Sequence, residues 1–203
     1  MDPYPKPLRT LIKELRRLPG IGEKSATRLA LYILADKRGL KDALISALED
    51  VRKVSLCPHC FNLTDQATCA ICADAGRDAA TICVVEEPSD VLALESAHEF
   101  KGRYHVLHGL VSPINGIGPE DIKLKELLER LHAPVKEVLI ALSPSVEGDV
   151  TAQYISKLVC ESGLPVCLSR LASGIPMGGE IKYMDQVTIA SAIRYRRTIR
   201  ENP

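Results

Sequence analysis

Four cysteines form the sharpest chemical pattern in this chain. They stand in two Cys-x-x-Cys pairs, Cys57/Cys60 and Cys69/Cys72, with eight residues between the pairs. Each pair can direct two thiolates at one ion, and four thiolates complete the tetrahedral shell of a structural Zn²⁺. Such a closed shell leaves no position for a reacting water, so the zinc would hold structure. We predict one zinc per chain, because this segment is too poor in apolar residues to fold by hydrophobic burial alone.

Other uses of the thiols remain open at this point. The pairs could be redox-active dithiols or unrelated buried thiols, and His59 could replace one ligand. The chain has seven cysteines, an odd number, which favours a reducing compartment over a disulfide framework. We expect Cys83, Cys160 and Cys167 to be core residues, because they lie in strand or helix patterns.

A second pattern is a glycine-containing turn between two predicted helices. Residues 18–26 read Leu-Pro-Gly-Ile-Gly-Glu-Lys-Ser-Ala. Gly20 and Gly22 permit a turn with bare backbone, and N–H groups at the start of the next helix can donate to a phosphate oxygen. Lys24 and Arg28 are four residues apart and share a helix face beside the turn. The pattern is typical of the helix-hairpin-helix, which contacts phosphates. Further basic candidates on the preceding helix are Arg9, Lys13, Arg16 and Arg17.

The alternative interpretation of this turn is an ordinary helical hairpin that packs without a ligand. The turn is not a P-loop, because Gly-Glu-Lys-Ser lacks both the Gly-Lys pair and the upstream glycine spacing. No Asn, Gln or Arg is evidently placed for base edges, so we expect DNA binding without sequence specificity.

Acidic residues follow two predicted strands. Glu86 follows the strand 81–85, and Glu147 and Asp149 lie in the loop after the strand 135–142. Ligands and metals gather at the carboxyl ends of parallel strands. These carboxylates could hold Mg²⁺ or present a negative surface to a protein. Alternatively they are solvated carboxylates at helix starts, a position that suits Asp149 in particular.

Hydrophobic periodicity indicates the elements that would position these groups. From residue 81, short apolar runs alternate with amphipathic helices, which requires a parallel sheet with helices packed on it; the fold class is therefore α/β. The expected strands are 81–85, 104–108, 135–142 and 165–169, and the expected helices are 8–18, 24–36, 41–55, 89–98, 120–131 and 149–161.

Four segments follow from this division. We expect a helix-hairpin-helix module over 1–55, a four-cysteine zinc finger over 56–78, a parallel β/α domain over 79–170 and a C-terminal oligomerisation segment over 171–203. The last segment combines a Gly/Pro-rich stretch with a basic helix, which could bind DNA or reach a neighbouring subunit. That helix ends in Arg194, Arg196, Arg197 and Arg200.

The charge is divided along the chain. The 203 residues carry 26 basic and 26 acidic side chains, and a net charge of zero argues, at first sight, against a nucleic-acid binder. Residues 1–56, however, hold twelve basic and seven acidic side chains, whereas residues 77–150 hold seven and thirteen. These opposite signs predict different partners for the two regions. We find no targeting segment and no apolar run of about eighteen residues, so we expect a cytoplasmic protein without a membrane segment.

In order and spacing these motifs resemble the bacterial RecR family of recombination proteins. Ile82-Cys-Val-Val-Glu-Glu-Pro-Ser-Asp and Ser143-Pro-Ser-Val-Glu-Gly-Asp resemble the family's Toprim domain, a fold shared with topoisomerases and primases. Gly116-Ile-Gly-Pro-Glu-Asp and Gly174-Ile-Pro-Met-Gly-Gly-Glu are similar to further family strings, so the resemblance covers essentially the whole chain. It implies a DNA-repair mediator without catalytic activity of its own. Proteins of this family act with RecO and RecF to help load recombinase on gapped or single-stranded DNA, and they form ring-like tetramers.

The resemblance also gives the acidic residues a context. Catalytic Toprim domains share a Glu after the first strand and an Asp-x-Asp before a Glu-Gly turn. Glu86 and Glu147 match the two glutamates, but Ser143 and Ser145 stand at the Asp-x-Asp positions. Serine hydroxyls are poor Mg²⁺ ligands, so we expect no Mg²⁺ here and interpret Glu86, Glu147 and Asp149 as an acidic surface for RecO. The alternative is a Mg²⁺-dependent Toprim nuclease or nicking enzyme that uses the same three carboxylates.

Overall fold

The computed structural model describes residues 4–197, which form two compact units. One unit extends to Ser55 and the other begins at Leu56. Arg200, the last arginine of the predicted basic helix, lies outside the described residues. Within residues 4–197, no helix has the length and apolar character needed to cross a membrane.

The N-terminal unit is a three-helix module. Helix α1 spans Lys6–Leu15, α2 spans Glu23–Ala35 and α3 spans Leu40–Asp50, and a 3₁₀ turn over Val51–Lys53 follows α3. The core contains Ile12 of α1 and two alanines of α2, Ala26 and Ala30, all buried. Small alanines let α1 and α2 approach closely, which fixes the turn between them.

The apolar face of α3 is exposed. Leu44, Ile45 and Leu48 have exposed fractions of 37%, 57% and 70%. Together with leucines of α1 they line an open apolar groove of about 680 Å³. The periodicity of α3 therefore marks a surface of this unit rather than a part of its core.

The second unit is built on a four-stranded parallel sheet. Two short strands, β1 (Ser55–Leu56) and β2 (Leu63–Thr64), and a short helix, α4 (Ala70–Ala73), precede this sheet in the chain. The strands of the sheet and the helices between them are β3 (Asp78–Val85), α5 (Pro88–Ser96), β4 (Gly102–Val106), α6 (Leu124–Arg130), β5 (Glu137–Ile140), α7 (Val146–Glu161) and β6 (Cys167–Arg170). The strands lie in the order β4-β3-β5-β6. The prediction of an α/β fold with a parallel sheet is confirmed.

Alternate residues of β3 enter two different cores, one on each face of the sheet. Ile82 and Val84 pack in the core that includes Ile155 of α7, whereas Cys83 and Val85 pack in the core that includes Val91 of α5. Because both faces of the sheet are covered, the buried part of β3 is a continuous run of apolar residues. This double burial fixes the register of β3 and thus the position of Glu86 directly after it.

Two cysteine predictions were wrong. Cys83 is buried in β3, but Cys160 and Cys167 are exposed. Cys160 lies near the C-terminal end of α7, and Cys167 begins β6, an outermost strand of the sheet. Strand periodicity alone does not separate a central strand from an outer one.

The last described helix is α8, over Gln186–Arg194. The Asp185 carboxylate accepts hydrogen bonds of 2.9 Å from the backbone N–H groups of Val187 and Thr188, which is an N-cap. Val187 and Ile193 are 79% and 60% exposed, so α8 also presents apolar side chains at the surface.

Candidate metal centre and nucleic-acid interface

The four paired cysteines converge on one point. The first pair lies between the short strands β1 (Ser55–Leu56) and β2 (Leu63–Thr64), and the second pair flanks and enters the short helix α4 (Ala70–Ala73). Their four sulfur atoms lie within 4.8 Å of one another. Cys57, Cys60 and Cys69 are buried, whereas Cys72 is partly exposed. Among residues 4–197 this is the only group of three or more potential ligands close enough to share an ion.

The surroundings of the sulfurs suit thiolates. The backbone N–H of Cys69 donates to the Cys57 sulfur and that of Cys72 donates to the Cys69 sulfur, each over 3.5 Å. Burial by itself raises the pKa of Cys57, but backbone N–H groups outweigh it and lower the pKa to about 6. By contrast, a hydrogen bond that the Cys60 thiol donates to Cys72 raises the pKa of Cys60, and burial raises that of Cys69 to about 11. Four thiols this close cannot all ionise without a dication, so the donor set fits one structural Zn²⁺.

The zinc finger is joined to the sheet through β4. The Val106 N–H donates to the Cys60 carbonyl over 2.9 Å, and Nε2 of His108 lies 2.6 Å from the Phe61 carbonyl oxygen. The Phe61 ring meets the His105 ring edge-on, with the centroids 5.3 Å apart. These contacts were missed by the sequence analysis, although Phe61 is the one aromatic residue in an otherwise polar segment.

The predicted hairpin lies between α1 and α2. Gly20 has φ +76°, in the left-handed region that favours glycine, and Gly22 is the extended residue that precedes α2. Within the described residues, no side chain caps the N-terminus of α2. The first intrahelical hydrogen bond runs from the Ala26 N–H to the Gly22 carbonyl. The N–H groups that precede Ala26 in this first helical turn therefore have no partner within the helix and point outwards.

The basic side chains near the hairpin differ in their pairing. Arg16 lies 3.6 Å from a Glu23 oxygen, and Arg17 lies 2.7 Å from a Glu14 oxygen. Lys24 is exposed on the first turn of α2. Neither it nor the equally exposed Arg28 has a carboxylate within ion-pair distance among residues 4–197. A cleft of about 410 Å³ also brings together Arg9, Lys13, Arg16, Glu23 and Thr27.

The acidic residues occupy the carboxyl edge of the sheet. Glu86 follows β3 and Glu147 lies in the first turn of α7, directly after β5. Because β3 and β5 are neighbours from which the chain winds in opposite directions, these glutamates flank the switch point where α/β folds bind ligands. Burial, and then the charges of Glu87, Asp90 and Glu147, raise the pKa of Glu86.

Two residues near this edge have local roles. Asp149 forms a 2.6 Å ion pair with Arg170. The Ser145 hydroxyl accepts a 3.1 Å hydrogen bond from the Gly148 N–H and thereby caps α7. The structure thus places Glu86 and Glu147 together, while the charge of Asp149 is directed to a cation.

Family models match every part of this arrangement. The model of the Toprim domain matches residues 80–172, and three RecR models match the helix-hairpin-helix at 8–52, the four-cysteine zinc finger domain at 54–74 and the C-terminal region at 174–197. The recombination protein RecR of Anaeromyxobacter dehalogenans (strain 2CP-C) is 52% identical over 195 residues, which cover 95% of this chain and 98% of that protein. This chain belongs to the RecR family.

More distant RecR proteins align over a similar length. The recombination protein RecR of Myxococcus xanthus (strain DK1622) is 48% identical, over 96% of this chain and 99% of its own. That of Heliobacterium modesticaldum (strain ATCC 51547 / Ice1) is 47% identical, over 97% and 98%. The predictions of RecR membership and of one structural zinc held by the four cysteines are therefore confirmed.

Proposed function

We propose that this chain is a non-catalytic mediator of recombinational DNA repair that binds DNA without sequence specificity. The observation that carries the proposal is the uncapped N-terminus of α2 beside Lys24 and Arg28, whose charges have no carboxylate partner among the described residues. Outward N–H groups and free cations together bind phosphate oxygens, which are present in single- and double-stranded DNA alike.

The remaining predicted contacts fall into two groups. Gly20 and Gly22 provide a bare backbone that a phosphate can approach, and a Cβ at either glycine would meet no atom within 4 Å. Arg9 and Lys13 line the neighbouring cleft and extend the basic surface along α1. We assign phosphate contacts to all four residues, with smaller contributions than those of Lys24 and Arg28.

We propose that the acidic edge of the sheet binds a protein partner, RecO, and that RecF is a second partner. Glu86 and Glu147 flank the switch point, and the region 77–150 has thirteen acidic side chains against seven basic ones. Complementary charge of this kind steers association with a basic partner. The name shared by the relatives, recombination protein, supports a role of this chain in recombination.

The absence of catalysis is part of the proposal. Ser143 and Ser145 stand where catalytic Toprim domains share paired aspartates, and the Ser145 hydroxyl is engaged as the cap of α7. A Mg²⁺ ion that stabilises a reacting phosphate needs several anionic oxygens, which serine does not supply. The competing function is a Mg²⁺-dependent nuclease built on Glu86, Glu147 and Asp149.

We further propose a homo-oligomer, a tetrameric ring that acts on nucleoid DNA in the cytoplasm. Each unit has an exposed apolar surface, one in the groove between α1 and α3 and one on α8. Two separate surfaces that each bind a second copy of the chain would suffice to close a ring. Several hairpins on one ring would also raise the apparent DNA affinity through multivalency.

DNA binding is tested with the double variant Lys24→Ala/Arg28→Ala. Fluorescence anisotropy with labelled duplex and single-stranded DNA should show a loss of binding to both, together with a smaller salt dependence, by about one unit of slope per lost contact. The matched control is Lys125→Ala/Lys157→Ala, which removes two exposed lysines from helices of the other unit. Equal affinities for the two double variants would contradict the assignment.

The nuclease alternative is tested with supercoiled plasmid and Mg²⁺ or Mn²⁺. We expect no nicking by the wild-type protein or by Glu86→Gln. Nicking that disappears in Glu86→Gln would establish the alternative function.

A further inference from the structure

A small polar cleft of about 160 Å³ lies beside the zinc ligands. It is lined by His59, Cys72, Arg103 and Arg130. Arg103 comes from β4 and Arg130 is the last residue of α6, so two guanidinium groups of the α/β part meet the zinc finger at Cys72. Cys72 is the one cysteine ligand that is not fully buried.

Arg130 is held in place by its hydrogen bonds. Its Nη1 donates to the Tyr104 carbonyl over 2.9 Å and lies 2.9 Å from Nδ1 of His105. Arg130 is partly buried beside Cys72, so its charge needs a compensating negative charge nearby.

Arg103 lacks such bonds. Its Nε is buried and has no hydrogen-bond partner among the described residues. Arg103 and Arg130 line the same small cleft, so the two cations repel one another. Two like charges held side by side in a partly buried cleft require an anion between them or beside them.

A zinc ion bound by four thiolates supplies this negative charge. Zn²⁺ with four thiolates carries a net charge of −2, and residues 57–76 contain no Lys or Arg to balance it. We propose that Arg103 and Arg130 are positioning residues of the zinc centre, whose guanidinium groups neutralise the zinc–thiolate charge and keep Cys72 in the ligand shell. This inference rests on the zinc site alone and is independent of DNA binding.

The test measures the loss of zinc from the full-length, zinc-loaded protein. Zinc that leaves the protein is captured directly by an excess of a metallochromic indicator, and its absorbance is followed over time. Second-sphere partners of metal ligands are typically worth about 10–100-fold in metal affinity. We expect zinc loss to be faster by about that factor in Arg103→Met, and to return towards the wild-type rate in Arg103→Lys, which keeps the charge.

Two further variants separate electrostatics from general stability. Arg130→Gln should also release zinc faster, but it loses the hydrogen bond to Tyr104 as well. The control is Arg77→Met, because Arg77 pairs with Glu95 in the same unit and does not line the cleft. Faster zinc loss in Arg77→Met than in Arg103→Met, or an unchanged rate in both arginine variants of the cleft, would overturn the proposal.

A spectroscopic measurement checks the same point without any kinetics. In the Co²⁺-substituted protein, the sulfur-to-cobalt charge-transfer bands should move to longer wavelength in Arg103→Met, because a nearby cation stabilises electrons on sulfur. Identical bands in wild type and variant would contradict the proposal. Slower zinc loss on addition of inorganic phosphate would also contradict the proposal, since the two arginines would then form a binding site for a free anion.

Discussion

The Val106 N–H donates to the Cys60 carbonyl over 2.9 Å, so the outermost strand β4 is bonded directly to the first zinc-binding turn. The next residue, Leu107, donates instead to the Val85 carbonyl of the neighbouring strand, also over 2.9 Å. The adjacent amides at the end of β4 are thus hydrogen-bonded to two different parts of the molecule. The Val106 amide is bonded to the zinc finger, and the Leu107 amide is bonded to the sheet.

This difference predicts the effect of removing zinc. Chelation, or the substitution Cys60→Ser, should accelerate hydrogen exchange at the Val106 amide far more than at the Leu107 amide. The reason is that a four-cysteine finger without metal loses the fold that holds the Cys60 carbonyl in place. Residue-resolved hydrogen exchange with and without chelator makes the comparison. Equal acceleration at both amides would show that the sheet itself depends on the metal.

A glycine at the start of α7 predicts a large loss of stability. A Cβ at Gly148 would stand 2.0 Å from the Ser143 carbonyl oxygen, which belongs to the backbone and cannot rotate away. We expect Gly148→Ala to lower the free energy of unfolding by about 1–3 kcal/mol, the usual range for overpacking. Gly76→Ala is the control, because its Cβ would meet only the flexible, exposed side chain of Asp74. Urea unfolding of the zinc-loaded proteins measures both, and similar midpoints would contradict the expectation.

His105 predicts how stability depends on pH. Its Nε2 lies 2.6 Å from the Lys123 carbonyl and its Nδ1 faces the Arg130 guanidinium, so both ring nitrogens are engaged by the neutral imidazole. Burial, assisted by the charge of Arg130, lowers the pKa of His105 to about 3. The unfolded chain, with an ordinary histidine pKa of about 6.5, therefore binds a proton that the folded chain rejects.

The sign of this effect follows from the proton balance. Stability is retained above pH 6.5 and is lost as the pH falls towards 3, by at most about 1.4 kcal/mol per pH unit. Urea unfolding at pH 7.0 and 5.5 in excess zinc should show a smaller loss for His105→Asn than for the wild type. The zinc thiolates are common to both proteins, so only the difference reports on His105. Equal losses would mean that His105 is protonated in the folded protein.

The acidic edge predicts unequal effects of two neighbouring carboxylates. Asp149 is paired with Arg170, whereas Glu147 has no ion-pair partner among residues 4–197 and lies on the same edge of the sheet as Glu86. We expect Glu147→Ala to weaken binding of purified RecO, and Asp149→Ala to weaken it less. Calorimetric titration measures both variants, with DNA binding as the control that should not change. If Glu147→Ala impaired DNA binding and left RecO binding unchanged, the acidic edge would not be a partner surface.

Much of the fold was predictable from local patterns. Strand β3 was predictable because a strand covered on both faces is apolar throughout, and the zinc ligands were predictable because their spacing defines a tetrahedral set. Helix α1 ends at Leu15 rather than at Leu18 because the N–H groups of Arg17 and Leu18 bond to carbonyls three residues back, which replaces the α-helical pattern with tighter turns. The start of α7 lies at Val146, three residues before the predicted one, because Ser145 caps it.

The remaining features depend on contacts between distant residues. The bond from Val106 to the Cys60 carbonyl joins two backbone groups, which have no signature in the sequence. The Asp149–Arg170 pair spans 21 residues and depends on the placement of β6 beside β5. Whether an apolar helix face is buried, as in α7, or exposed, as in α3, depends on what the rest of the chain provides to cover it.

The position of the zinc finger against β4 has a consequence for aggregation. An outermost strand offers unpaired backbone groups to any other chain, and proteins protect such strands by covering them. Here the cover is a segment whose fold requires a metal, so oxidation of the four cysteines or chelation of the zinc would uncover a strand edge. Zinc binding then protects the folded chain from aggregation with its own copies, in addition to stabilising the zinc finger.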